Sequence, residues 1–125
     1  MGSIGGLKKI KEEIKMGMDL VPIRGKMETF SFNLSGWGQL EDTLRELGAK
    51  TSVMAGMNDG ALIPIKTLRD WGMRLEAEYG IHSKTCKMEE CGGTQSGFMG
   101  WPGGFEGKLR CFAAWCKKVP GCRQY

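Results

Sequence analysis

The chain has 125 residues, 41% hydrophobic and 26% charged, which is the size and composition of one soluble globular domain. No apolar run approaches the roughly 18 residues of a membrane helix, and the N-terminus lacks the apolar core of a secretory signal, so an intracellular or virion location is expected. Eighteen Lys and Arg against 14 Asp and Glu give a net charge of +4, which favours an acidic partner without naming its class.

At the N-terminus Ile4, Leu7, Ile10, Ile14 and Met18 follow one another at spacings of three and four, with lysines and glutamates between them. That period predicts an amphipathic helix, an arm over residues 1–22 that Gly17 and Pro22 bring to an end. Its apolar stripe needs a surface to cover, so Ile4, Leu7, Ile10 and Ile14 are candidate contacts to a partner subunit or to the chain's own core. In "ETFSFNLSG", Phe30, Phe32 and Leu34 alternate with Thr29, Ser31 and Asn33, the period-two pattern of a strand with one buried face. Ser35 or Gly36 is then placed to cap a helix carrying Trp37, Leu40, Leu44 and Leu47 and closed by Gly48. Trp37 reads as a core anchor.

The next stretch, "TSVMAGMNDGALIPI", reads as a hairpin: two apolar runs around the Asn58-Asp59-Gly60 turn signal, the second confined to a sheet edge by Pro64. Thr67 and Asp70 have the spacing of a capping box. Leu68, Trp71, Leu75 and Tyr79 mark the helix that follows, ended by Gly80. These elements predict an α+β core over residues 23–81, a small mixed or antiparallel sheet with covering helices.

Residues 82–125 differ in character. Gly dominates "CGGTQSGFMGWPGGFEGKLRC", and the whole segment reads as an irregular extension, with at most one or two helical turns around Phe112 to Trp115. From Lys108 onward there are five basic residues and no acid. Trp101, Lys108, Arg110, Lys117 and Lys118 therefore form a candidate nucleic-acid surface, with base stacking and phosphate neutralisation in one place; the alternative is a solvated basic face.

The stretch from Phe30 to Gly80 resembles the small minor tail and tail-completion proteins of tailed bacteriophages. The likeness rests on "FNLSGWGQLEDTLRELG", a strand passing through Gly into a helix, then on "SVMAGMNDGA" and "EAEYG". It implies a non-enzymatic subunit that joins neighbours by oligomerising into rings. The cysteine-rich ending has no counterpart in that pattern.

All five cysteines lie in the last segment, spaced as Cys86-x4-Cys91 and Cys111-x4-Cys116, with Cys122 beyond and His82 four residues before Cys86. Two pairs around a Gly-rich loop suit a tetrahedral Zn2+ site of Cys86, Cys91, Cys111 and Cys116, with Cys122 or His82 as alternates. Disulfides are the rival. On a helix Cys111 and Cys116 would point about 140° apart, so each would cross-pair with Cys86, Cys91 or Cys122. Free buried thiols are a third arrangement.

Catalysis is not expected, because the single His82 supplies no nucleophile–base–orienter set, and the glycines spell no phosphate loop. The sequence thus points to a structural or assembly subunit bound to other protein subunits or to itself, with a zinc-binding, nucleic-acid-contacting module as the alternative.

Overall fold

The computed structural model describes residues 17–56, 60–81 and 104–125. Their elements run β1 (Gly17–Pro22), β2 (Phe30–Asn33), α1 (Leu34–Glu46), a 3-10 helix (Ser52–Gly56), β3 (Leu62–Ile63), α2 (Ile65–Tyr79), α3 (Gly104–Lys118) and β4 (Cys122–Gln124). The strands form one antiparallel sheet in the order β2-β1-β4-β3, so the fold is α+β. Ile4, Leu7, Ile10 and Ile14, the stripe of the expected N-terminal arm, lie outside the described residues. The arm's last span does not: residues 17–22 are strand, and Met18 is a core residue of the sheet. Met18 fits both periods, because it continues the helical stripe and also alternates with Leu20 on the buried side of β1.

The β2–α1 unit forms as its pattern predicts, with Phe30 and Phe32 fully buried. The cap is two residues earlier than the nearer expected position: the Asn33 carboxamide oxygen accepts the Gly36 N–H at 2.6 Å, so neither Ser35 nor Gly36 holds that role. Trp37, Leu40 and Leu44 enter the core, and Gly48 follows with φ of 80°.

The expected hairpin is not formed. Residues 52–56 coil into the 3-10 helix, and β3 pairs with β4 through Leu62↔Arg123 and Ile63↔Cys122. A C-terminal strand supplies the partner that a local hairpin would have supplied. Pro64 does hold β3 at the sheet edge, and it is itself the N-cap of α2. The Thr67–Asp70 capping box is therefore absent: α2 begins at Ile65, with no side-chain cap bond.

The largest departure is at the C-terminus. Residues 104–125 are not an irregular extension but part of the same core: α3 runs for 15 residues against α2, and β4 fills the gap between β1 and β3. The reason is a stripe hidden by the glycines. Phe105, Leu109, Phe112, Cys116 and Val119 recur every three or four residues once cysteine is counted as a small hydrophobe.

Phe112 joins the layers. Its ring centroid lies 5.1 Å from those of both Phe30 and Phe32, and it stacks on Trp115 at 5.9 Å. The two fully buried indole N–H groups each find a carbonyl, Trp71 on Lys50 at 3.0 Å and Trp115 on Glu28 at 2.8 Å, so these two rings enter the core without an unmade hydrogen bond.

Candidate functional site

The described C-terminal candidates do not gather on a surface. Lys108 is 1% exposed, its ammonium 4.5 Å from the Phe32 ring centroid and 5.9 Å from that of Phe30. It lies one turn before Phe112, so the helix period carries it inward, and its charge faces aromatic rings instead of phosphates. Burial lowers its pKa to about 8. Arg110 donates to the Tyr79 carbonyl at 3.2 Å, and Lys117 pairs with Glu76 at 2.8 Å. Lys118 is exposed, and Trp101 lies outside the described residues. The basic stripe is thus a corrected expectation: one cation is core, two tie α3 to α2, and one remains on the surface.

Of the expected zinc ligands, Cys86, Cys91 and the alternate His82 lie outside the described residues. Cys111 and Cys116 on α3, and Cys122 on β4, are all 0% exposed and are not bonded to one another. Burial pushes the Cys111 and Cys122 thiols up to about 12 and that of Cys116 well above its ordinary range. Among the described residues no three metal-binding side chains converge. These three thiols fill space between helix and sheet.

The opposite side of the sheet has a different composition. The core residues of α1, α2 and α3 belong to one cluster with Met18, Leu20, Phe30, Phe32, Ile63 and Cys122, so the described helices cover one face only. Strand alternation turns Asp19, Val21, Ser31, Leu62 and Arg123 to the other face. The register sets Leu62, Arg123 and Val21 side by side in one row, with Asp19 opposite Ser31 in the next. The Ser31 hydroxyl donates to Asp19 Oδ1 at 2.7 Å, which fixes the carboxylate, and Arg123 Nη1 donates to the Gly60 carbonyl at 3.0 Å. Tyr125 follows Gln124, its N–H on the Asp19 carbonyl at 2.8 Å. Leu62 is 44% exposed and Tyr125 50%. This face therefore carries exposed apolar groups, Leu62 and Tyr125, interspersed with one fixed acid and one fixed cation.

The face escaped sequence reading because it is assembled from four strands distant in the chain. Only the alternation within β2 hinted at it. No described helix is long and apolar enough to cross a membrane. No family model matches the chain, and neither a curated protein nor a solved structure matches it.

Proposed function

We propose that this chain is a non-enzymatic assembly subunit that joins a second copy of itself through the outer face of its sheet. The observation that carries the reading is the self-complementary pattern of that face: Asp19 and Arg123 stand at opposite corners of a patch completed by Val21 and Tyr125, with Leu62 on the far side of Arg123. A two-fold axis parallel to the sheets, lying in the plane between the two copies, sets each Asp19 against the other copy's Arg123 while the apolar side chains are buried around them. Two sheets stacked at about 10 Å are a standard way to cover such faces. The resemblance of residues 30–80 to tail-completion proteins supports the assembly role, not this particular two-fold contact.

Charge reversal tests it. Asp19→Arg and Arg123→Asp should each be monomeric by sedimentation, because like charges then meet across the axis. Mixing the two variants should restore a dimer, since each then offers the sign the other lacks. A wild-type monomer at high concentration, or variants that stay dimeric alone, would overturn the reading.

A further inference from the structure

We propose that the cleft between the end of α1 and the first three turns of α2 binds a small phosphomonoester. The cleft has a volume of about 410 Å3 and is lined by Gly48, Lys50, Lys66, Thr67, Asp70 and Arg74. That volume lies within the roughly 300–1,000 Å3 of small-molecule sites and leaves room for an organic group beside a phosphate.

The walls are built rather than incidental. Lys66, Thr67, Asp70 and Arg74 share one face of α2, and Lys50 is tied to that helix by the bond from Trp71 Nε1 to its carbonyl. Arg74 is held at two points: Nε donates to Asp70 Oδ2 at 2.9 Å, and Nη1 to the Leu47 carbonyl at 2.7 Å. Gly48 makes room for this guanidinium, because a Cβ there would stand 3.3 Å from Nη1. Asp70 is thereby matched to Arg74, whereas Lys50 and Lys66 form no ion pair among the described residues. Three cations against one acid leave the cleft two positive charges in excess, the complement of a phosphomonoester dianion.

The start of α2 adds to this field. Pro64 gives no side-chain cap bond, the first turn holds no acid, and the cleft's one carboxylate, Asp70, is paired with Arg74, so the N-terminal N–H groups near Lys66 and Thr67 keep their positive field. The Thr67 hydroxyl offers a further donor to a phosphate oxygen. Two lysines acting as point charges with one oriented arginine form a donor set suited to phosphate.

The test is calorimetric titration of the full chain with AMP, inorganic phosphate and adenosine. AMP is expected to bind at least about tenfold more tightly than inorganic phosphate, weakening with added salt, and adenosine not to bind. Lys66→Glu and Lys50→Glu should each lower AMP affinity at least about tenfold, while Lys26→Glu, outside the cleft, leaves it unchanged. Thermal unfolding and sedimentation of Lys66→Glu should match wild type, which separates this site from the assembly face. Equal weak binding of AMP and phosphate, no effect of Lys66→Glu, or an equal effect of Lys26→Glu would each overturn the proposal.

Discussion

From α2, Arg69 holds the end of α3, its Nη1 donating to the Val119 carbonyl at 2.7 Å and to that of Cys116 at 2.5 Å. Both acceptors belong to the last turn and exit of α3, where carbonyls lack helical partners and the helix dipole is negative. Hydrogen bonds to a charged donor contribute about 1.5–3 kcal/mol. Arg69→Met should therefore cost about 2 kcal/mol in urea unfolding, and Arg69→Lys should recover only part of it, a single ammonium replacing a planar fork. A change under about 0.5 kcal/mol would refute the capping role.

A second contact between the same helices tests their spacing. At Gly72 a Cβ would stand 2.9 Å from Lys117 Cγ and 3.0 Å from the Ala113 carbonyl oxygen. The lysine stem can move, but the backbone carbonyl cannot without shifting α3. Gly72→Ala should be destabilising by about 1–2 kcal/mol, overpacking outweighing the gain in helix propensity. Gly38, exposed within α1 and with nothing within 4 Å of its would-be Cβ, is the control. Gly38→Ala should stabilise by about 0.5–1 kcal/mol. If both substitutions moved the urea midpoint the same way, close packing at Gly72 would be the wrong explanation.

The helices α1 and α2 were legible in the sequence because each carries its own signal, Trp37-Leu40-Leu44 in one and Leu68-Trp71-Leu75 in the other. The strand at Phe30 was legible for the same reason. What stayed hidden depended on distant partners. Met18 satisfied a helical and a strand period at once, and only pairing with Phe32 decides between them. Residues 52–56 had the composition of a strand, yet β4 takes the place beside β3. In α3 the glycines before Lys108 masked an apolar stripe that includes Cys116. Reading the cysteines as ligands removed them from the count of core positions. The cleft was invisible because Lys50 and Lys66 meet only when α2 folds back beside the end of α1.

The buried Lys108 makes stability depend on pH. Its pKa falls from 10.5 to about 8 on folding, so the folded state releases this proton first. The cost of burying the charge is full below pH 8 and is relieved as pH rises through 8 towards 10.5, so this residue raises stability with pH in that window. Cys111 acts in the opposite sense. Its pKa rises from 9.0 to about 12, and the stability of its neutral thiol is lost as pH climbs from 9 towards 12. Cys122, also raised to about 12, and Cys116, raised well above its ordinary range, act as Cys111 does, so wild type should gain up to about 1 kcal/mol between pH 8 and 9 and lose stability above pH 9, where three thiols outweigh one lysine. Lys108→Met should be flat over pH 8–9, and parallel profiles for the two proteins would count against the buried ammonium.

The thiols of Cys111, Cys116 and Cys122 give the most direct check on where the C-terminus lies. All three are fully buried, and burial holds each of them in the protonated form. Alkylation needs both access and a thiolate, so iodoacetamide at pH 7.5 should leave these positions unmodified in the native protein. Peptide mapping after brief exposure is the measurement. Their modification should then rise with urea in step with global unfolding, because Cys116 packs within α3 and Cys122 between β1 and β3, and neither is exposed without parting the sheet from the helices. Were residues 104–125 a loosely attached extension, the three would react quickly in buffer and well before the tryptophans Trp37 and Trp71 report unfolding. The order of the two transitions thus decides whether this segment completes the core or hangs from it.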